Sequence, residues 1–157
     1  MWTGSENINY EYTQSQNSLK VRFKKLSEYA VAPLYAKDGD AGLDLTAHTL
    51  TDFKDEPFIE YGTGIAVEIP QGYVGLVFPR SSVSKKENFY LKNSVGVIDS
   101  GYRGEIKLRF SRSEDRYEAG EKVGQLIIIP YPTIYLEEVQ ELSSTERGEG
   151  GFGSTGI

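Results

Sequence analysis

The sequence contains no cysteine and a single histidine, His48. The lack of cysteine excludes disulfides, thiolate zinc sites and a cysteine nucleophile. His48 has no obvious catalytic partner in the sequence, so neither Ser-His-Asp catalysis nor a multi-histidine metal site is expected. Any chemistry would therefore depend on carboxylates, hydroxyls, amides and cations, together with a metal ion where one is needed.

Long apolar runs and long helical patterns are missing as well. No stretch approaches the roughly 20 residues of a membrane-spanning helix, and no signal peptide is visible. The formal net charge of −6 is not typical of a nucleic-acid-binding protein, although a few local cations and a metal ion can still hold a small anion. We expect a soluble, cytoplasmic protein without a membrane or nucleic-acid partner.

Glycine and aromatic residues are abundant, with 17 Gly, 11 Tyr and 7 Phe among 157 residues. Their abundance, with many turn signals and short alternating segments, predicts a single all-β domain. Alternation of apolar and polar residues predicts strands at 19–24, 58–61, 65–69, 74–78 and, in mixed form, 133–142. The chain is long enough to build one hydrophobic core.

Two features of these strands go beyond the alternation. The turn residues 70–72 predict a hairpin between the strands on either side of them. The nearly continuous apolar run 121–129 predicts a central or interface-buried strand. Gln125 is its one polar interruption, and a buried glutamine needs hydrogen-bond partners.

The stretch 95–106 is the one around which the other segments are organised. An apolar run is followed by the turn residues Asp99-Ser100-Gly101, and alternation resumes after Tyr102. This pattern predicts a hairpin with the Asp99 carboxylate and the Tyr102 ring at its tip. An ordinary β-turn is the alternative, and on this stretch alone it is favoured.

Two further segments carry polar groups beside predicted strands. Arg80 and the serines that follow it come directly after the strand ending at Pro79, and a serine there commonly caps a helix. Backbone N–H groups, hydroxyls and the Arg80 guanidinium would suit a phosphate, but a capped surface helix is equally consistent. Asp44 lies on a predicted strand between two inward leucines, where a solvated carboxylate is the simpler interpretation.

Both ends of the chain differ from the middle. Residues 1–17 are polar and are expected to form a disordered extension to the domain at 18–144. Residues 145–157 are expected to form a flexible, glycine-rich arm. The arm carries Arg147 and Phe152, which a plain linker does not need. It is not a phosphate-binding P-loop, because no Gly-Lys-Ser/Thr follows its glycines.

Five segments in this order resemble the trimeric dUTPase family, the deoxyuridine triphosphate nucleotidohydrolases. Each segment alone is weak evidence, but together and in order they are highly specific, and the resemblance covers roughly residues 19–157. The segments are Ala-Gly-Leu-Asp-Leu at 41–45, Pro-Arg-Ser-Ser at 79–82, Gly-Val-Ile-Asp-Ser-Gly-Tyr-Arg-Gly-Glu at 96–105, Gly-Glu-Lys-Val-Gly-Gln-Leu at 120–126, and Arg-Gly-Glu-Gly-Gly-Phe-Gly-Ser-Thr-Gly at 147–156.

The resemblance implies a jelly-roll-like β-barrel or sandwich with one short helix, assembled as a homotrimer. Three active sites would lie between subunits, and the C-terminal arm would close over a site built by the others. The implied reaction is hydrolysis of dUTP to dUMP and pyrophosphate with Mg²⁺, which cleans the nucleotide pool and supplies a dTTP precursor.

The resemblance also implies roles for individual residues. Asp99 would activate the attacking water, and Asp44 would lie near metal-bound waters. The implied phosphate contacts are Arg80, Ser81, Ser82, Gln125 and Arg147. The implied uracil and deoxyribose contacts are Asn93, Gly96, Val97, Ile98, Tyr102, Lys107, Phe152 and Gly153.

Some positions depart from the family pattern, and other functions stay open. Gly101 stands where a second acid is common, Lys122 where arginine is usual, Gly124 where alanine is usual, and Ser82 replaces a frequent glycine. A lysine at 122 loses bidentate geometry. A dCTP deaminase or bifunctional deaminase–hydrolase would share the fold, although the arm and the Tyr102 segment argue against it. A dUTP-binding regulatory protein is the alternative of another class.

Overall fold

The structure, a computed structural model, describes residues 18–151. The expected N-terminal extension and the arm residues Phe152 and Gly153 lie outside the described residues. The strands are β1 (Arg22–Lys25), β2 (Leu43–Thr46), β3 (Thr49–Asp52), β4 (Phe58–Glu68), β5 (Tyr73–Phe78), β6 (Gly96–Ile98), β7 (Glu105–Ser111) and β8 (Lys122–Pro130). A short 3-10 helix at Ser81–Lys85 follows β5.

The strands form two four-stranded antiparallel sheets. In sheet I, β4 pairs with β1, β3 and β7. Sheet II has the order β2-β8-β5-β6. The all-β, jelly-roll-like prediction is confirmed as a sandwich, because the sheets do not close into a barrel. No helix in the described part of the chain is long and apolar enough to cross a membrane.

An aromatic cluster lies in the core between the sheets. Phe89 and Phe110 stack with ring centroids 4.5 Å apart, and Tyr61 packs edge-on against Phe110. The buried Tyr61 hydroxyl donates to the carbonyl oxygen of Tyr117 at 2.7 Å. Burial raises the pKa of Tyr61, so its hydroxyl stays protonated and remains a donor. Aliphatic side chains from both sheets complete the core: Leu45, Ile59, Ile65, Val77, Ile106, Leu108, Val123 and Leu126.

Both predicted hairpins are wrong, although their turns form. Gly72 has a φ of 85° and Tyr73 N donates to Pro70 O at 3.2 Å, so the chain does reverse at 70–72. However, β4 belongs to sheet I and β5 to sheet II. In the same way, β6 pairs with β5 whereas β7 pairs with β4, so the segment holding Asp99 is a corner between sheets. Turn residues reverse the chain, but they do not determine which strands pair with each other.

The predicted strands at 58–61 and 65–69 are in fact one strand, β4. Its pairing with β7 shifts register between Gly62 and Ala66, where Gly64 has a φ of 68°. The Thr63 hydroxyl donates to the carbonyl oxygen of Ile106 at 2.8 Å, which fixes this bulge. A bulge breaks the two-residue alternation, and the sequence pattern therefore predicted two strands.

The first and last predicted strands also differ from the structure. Strand β1 is Arg22–Lys25, and all its residues are exposed rather than half-buried. No strand follows Pro130 within the described residues, so the strand predicted at 133–142 is absent. Ile134, Tyr135 and Leu136 there are 71%, 90% and 84% exposed. Strand β1 does have β4 as a hydrogen-bonded neighbour, but nothing in the described residues covers its side chains. A strand needs a neighbour for its backbone groups, and none of the described strands pairs with 133–142.

Replacing Phe110 with alanine is expected to lower the free energy of unfolding by about 3–5 kcal/mol, because the side chain is fully buried and stacked on Phe89. Phe110→Leu keeps most of the apolar volume and should cost about 1.5 kcal/mol. Urea denaturation at one protein concentration measures both values. Equal losses for the two variants would contradict this account of the core.

Candidate active site

Three predicted site residues meet at one end of sheet II. Asp44 on β2 is opposite Gln125 on β8, and Gln125 is opposite Phe78 at the end of β5. Arg80 follows Phe78 by two residues, so strand pairing alone brings it to the same end. The structure thus brings Asp44, Arg80 and Gln125 together, and we call this group with Ser81 and Lys122 the phosphate-side cluster.

The Asp44 carboxylate lies between two cations of this cluster. Its Oδ1 is 3.5 Å from Arg80 Nε, and its Oδ2 is 2.6 Å from Lys122 Nζ. The side chain is only 13% exposed. Despite the short ion pair, Oδ2 accepts no hydrogen bond of good geometry from the described residues. Its charge is compensated while its lone pairs stay available to a further donor or to a metal-bound water.

Gln125 is fixed by contacts on both sides. Its Nε2 donates to the carbonyl oxygen of Pro79 at 3.2 Å, which satisfies the partner that the sequence required. A Cβ added to Gly42 would lie 2.4 Å from Gln125 Oε1, so a side chain at position 42 would have to displace the amide from this position. A cavity of about 280 Å³ opens here, lined among others by Asp40, Asp44, Arg80, Ser81 and Gln125.

The two serines after Arg80 point in different directions. Ser81 lines the cavity, whereas the Ser82 hydroxyl lies 2.7 Å from the buried Tyr117 hydroxyl. The predicted serine cap is wrong, because Arg80 occupies the N-cap position of the 3-10 helix and no side chain caps it. Ser82 can therefore offer a ligand its main chain, while its side chain anchors the loop to the core.

The second group of site residues lies at the corner 99–104 that joins β6 to β7. Tyr102 N donates to Asp99 O at 3.0 Å, and the Tyr102 hydroxyl donates to Glu105 O at 3.0 Å. A Cβ on Gly104 would lie 2.4 Å from that hydroxyl, so the lack of a side chain at position 104 provides the space that the Tyr102 ring occupies. Asp99 itself is exposed. The Asp99 corner therefore presents a carboxylate and a seated aromatic ring.

Strand β6 carries the predicted uracil-binding residues. Val97 is 62% exposed, whereas Ile98 is partly buried and packs against the core. A Cβ on Gly96 would lie 3.8 Å from Asn93 Nδ2, so the Asn93 amide lies beside the Gly96 backbone. The strand pairs with β5 on one side only, which leaves its other backbone edge unpaired among the described strands.

Lys107 lies on sheet I and is engaged there in ion pairs. Its Nζ is 3.0 Å from Glu60 Oε1, and Arg109 Nε is 2.8 Å from Glu60 Oε2. Burial by itself would raise the pKa of Glu60, but the bonds from Arg109 and Lys107 outweigh it and hold the pKa below its ordinary value of 4.5. The Glu60 hydrogen bond also raises the pKa of Lys107.

The phosphate-side cluster and the Asp99 corner lie at opposite ends of β5. Ile98 is opposite Gly75, so Asp99 leaves the sheet near the start of β5, whereas Arg80 leaves it beyond Phe78. At about 3.3 Å per strand residue, the two side chains are separated by roughly 15–20 Å along β5. One chain therefore does not bring Asp99 to Arg80.

Arg147 contacts neither group in the described residues. Its Nε donates to Gly150 O at 2.9 Å, within a turn of the arm itself.

Lys122 is the residue of the phosphate-side cluster that the sequence did not identify, because it entered only as a departure from the family pattern. The register of β8 beside β2 places it next to Asp44, and the spacing of Lys122 and Gln125 on either side of Gly124 was the available signal.

Comparison with known proteins identifies close relatives. A family model described as dUTPase matches residues 28–156. The deoxyuridine 5'-triphosphate nucleotidohydrolase of Dictyoglomus turgidum is 40% identical over 148 residues, covering 88% of this chain and 99% of the relative. The protein of the same name from Hydrogenobaculum sp. is 41% identical over 143 residues, with 88% and 99% covered.

Solved structures agree with this. A mutant Staphylococcus bacteriophage 80alpha dUTPase with dUpNHpp matches with a TM-score of 0.74 and 30% identity, covering 89% of this chain and 100% of the phage chain. A mutant dUTPase from phage phi11 of S. aureus matches with a TM-score of 0.67 and 27% identity over 78% of this chain and 98% of that chain. The latter structure concerns the coordination of a structural Mg(II) ion.

The Glu60 ion pairs predict a specific pH dependence of stability. At neutral pH, Glu60→Gln should lower the free energy of unfolding by about 1–3 kcal/mol, because the charge-assisted bonds to Lys107 and Arg109 are lost. The pKa of Glu60 is lower folded than unfolded, so the unfolded chain binds the proton first as pH falls. This stabilisation is complete above the ordinary pKa of 4.5 and is lost as pH falls through the folded pKa.

The urea midpoints of wild type and Glu60→Gln should accordingly converge below pH 4.5. Glu118→Gln is the matched control, since Glu118 is 70% exposed and its ion pair with Arg116 is long, at 3.7 Å. That control should show little difference from wild type at any pH. A Glu60→Gln difference that widens on acidification would contradict the assigned direction of the pKa.

Proposed function

We propose how this chain, which belongs to the dUTPase family and hydrolyses dUTP to dUMP and pyrophosphate, divides that reaction among its residues. The observation that carries the proposal is the separation of the phosphate-side cluster from the Asp99 corner by the length of β5. The Asp99 corner supplies the base and the surface for the nucleoside, and the phosphate-side cluster supplies the contacts to the triphosphate. A complete active site then forms where the Asp99 corner of one subunit meets the phosphate-side cluster of another.

Asp99 is the base that accepts a proton from the attacking water. It is exposed at a turn whose backbone is fixed by the bond from Tyr102 N, so a water can approach it. The products dUMP and pyrophosphate require that the bond between the α and β phosphates breaks. Phosphoryl chemistry of this kind depends mainly on positioning and charge stabilisation, so one carboxylate base is sufficient.

The phosphate-side cluster binds the triphosphate. Arg80 and Lys122 supply positive charge, Ser81 and the backbone of the 3-10 helix supply donors, and Gln125 supplies a fixed amide. Their charge is partly balanced by Asp44 before substrate arrives. Arg147, from the arm, adds a charge-assisted contact to the γ-phosphate, and Phe152 stacks on the base.

The residues present fit a magnesium ion that is shared with the substrate. No group of three acidic or histidine side chains occurs in the described part of the chain, so a site made of protein ligands alone is not provided there. Mg²⁺ commonly keeps several waters and binds through one carboxylate plus substrate phosphates. The buried Asp44 Oδ2 without a hydrogen bond is suited to accept from such a water. When bound, the ion would neutralise triphosphate charge.

Uracil and deoxyribose bind at β6 and the Asp99 corner. The backbone edge of Gly96, Val97 and Ile98 that faces away from β5 has the geometry to pair with the uracil ring, and the Asn93 amide lies beside it. The Tyr102 ring, held by its bond to Glu105 O, provides a surface for the deoxyribose. Lys107, a further contact implied by the family pattern, would have to leave its ion pair with Glu60 in order to reach substrate.

The assembly is a homotrimer, and the exposed segment after β8 supports it. Ile134, Tyr135, Leu136 and Leu142 are all at least 71% exposed in the single chain. An apolar segment of this length needs a partner surface, and a second copy of the chain provides one within a closed ring. The family resemblance implies that, in such a trimer, the arm of one subunit closes over a site formed by the other two.

Asp99→Asn should abolish most turnover while keeping substrate binding, because asparagine keeps the shape but cannot accept the proton. Loss of a general base lowers kcat by about 10²–10⁴-fold. Steady-state pyrophosphate release from dUTP measures turnover, and a titration with a non-hydrolysable dUTP analogue measures binding. Asp55→Asn, an exposed carboxylate in the β3–β4 loop, is the matched control. Wild-type kcat in Asp99→Asn would exclude Asp99 as the base.

Mixing two inactive variants tests the shared site. Arg80→Ala and Asp99→Asn subunits are co-expressed in equal amounts under two affinity tags, and trimers that carry both tags are purified. If Asp99 and Arg80 in each site come from different subunits, every trimer that carries both tags has one intact site among its three, so about a third of the sites are restored. If both come from one subunit, every site keeps a defect and no activity returns.

Light scattering on the same preparations reports the assembly. A trimer is expected for wild type and for both variants, because neither substitution lies in the exposed apolar segment. Mixed trimers without activity above that of the parent variants would contradict the shared site. A fully active monomer would contradict the assembly itself.

A further inference from the structure

The Asp99 corner has little packing on its outer side. Ser100, Gly101 and Arg103 line an open cavity of about 600 Å³, together with Glu68 and other residues of the β4–β5 turn and β1. A Cβ added to Gly101 would meet no atom within 4 Å. The corner therefore depends on hydrogen bonds rather than on packing for its shape.

Arg103 supplies those bonds. Its Nη1 donates to Ser100 O at 2.6 Å and to Tyr102 O at 2.9 Å. Both carbonyls belong to the turn that is closed by the bond from Tyr102 N to Asp99 O. One guanidinium nitrogen thus joins the carbonyls on either side of Gly101, the glycine at the tip of the turn.

The guanidinium is in turn attached to the rest of the domain. Arg103 Nη2 lies 3.7 Å from Glu68 Oε1, at the end of β4. The same oxygen lies 2.5 Å from Arg22 Nη2 on β1. A planar guanidinium can bond two carbonyls through one nitrogen while a second nitrogen faces a carboxylate, which an ammonium group on a lysine does less well.

We propose that Arg103 is a positioning residue that holds the Asp99 turn in its active geometry, anchored through Glu68. The inference rests on the proposed role of Asp99 as the base. Tyr102 has its own anchor, since its hydroxyl bonds Glu105 O over Gly104. Loss of the Arg103 guanidinium should therefore loosen the carboxylate more than the ring, and should affect catalysis more than binding.

Arg103→Ala tests this with two kinds of measurement. Amide hydrogen exchange at residues 100–104 should become about tenfold faster, while exchange in β7 stays unchanged, because the turn opens locally. For dUTP, kcat should fall about tenfold or more, since small displacements of a catalytic group are costly. Affinity for a non-hydrolysable dUTP analogue should change less than about threefold. A merely structural role would not produce this division between kcat and binding.

Two further variants complete the experiment. Arg103→Lys should recover part of kcat and part of the protection, because lysine can reach one carbonyl. Glu68→Gln should give a smaller increase in exchange at 100–104, because Arg103 keeps its bonds to Ser100 and Tyr102. Should Arg103→Ala prove unstable, Arg103→Lys carries the test, with a fall in kcat smaller than that of alanine but clearly measurable.

The outcomes separate this inference from the assignment of Asp99. Unchanged exchange at 100–104 in Arg103→Ala would overturn the positioning role, whatever the activity. Faster exchange with wild-type kcat would overturn it as well, because the turn would then not limit catalysis. Full turnover by Asp99→Asn would instead overturn the base assignment and leave the exchange result as a separate test of the Arg103 contacts.

Discussion

The length of β5 is the constraint on which the rest of the site depends. A six-residue strand fixes Arg80 at one end and, through its pairing with β6, Asp99 at the other. No rotation of side chains closes a gap of roughly 15–20 Å between them. Asp99, the proposed base, and Arg80, the proposed phosphate contact, therefore lie too far apart to serve one substrate within one chain. Under the proposed function, assembly is a chemical requirement of the site and not only a source of stability.

Charge in the phosphate-side cluster is balanced in a way that suits a triphosphate. Arg80 and Lys122 would repel each other without Asp44 between them. Because the carboxylate is largely buried, its attraction to both cations is less screened by solvent than that of a surface pair. Under the proposed function, the triphosphate would take over part of that compensation. Arg80, Lys122 and Asp44 together carry a charge of +1, in contrast to the overall net charge of −6.

Local sequence signals predicted turns and single strands well, but they predicted poorly which strands pair with each other. The turns at 70–72 and 99–102 form as their residues required, and the run 121–129 does become a central strand. The two hairpins were wrong because alternating residues on β4 and β5 do not specify which sheet each strand joins. The strand predicted at 133–142 was wrong because none of the described strands pairs with its backbone, and its apolar side chains are exposed. The family and its activity were predicted from five ordered motifs, and the comparisons confirm them.

Sequence reasoning did not assign a role to Lys122 or Arg103. A lysine or arginine in a strand or turn is ordinary, and the spacing of Lys122 to Gln125 was the one signal available for either residue. The register of β2 against β8 brings Lys122 to Asp44. The path of the chain around Gly101 brings Arg103 to the Asp99 turn. Such roles depend on distances between segments that are far apart in sequence.

The hydrogen bond between Ser82 and Tyr117 has a consequence for heating. The Tyr117 ring packs edge-on against Phe89 and its carbonyl oxygen accepts from Tyr61, so the loop proposed to bind phosphate is attached directly to the aromatic cluster. We therefore expect thermal loosening of that cluster to release the loop in the same transition. Substitutions that raise the melting temperature of the core should then also raise the temperature at which activity is lost.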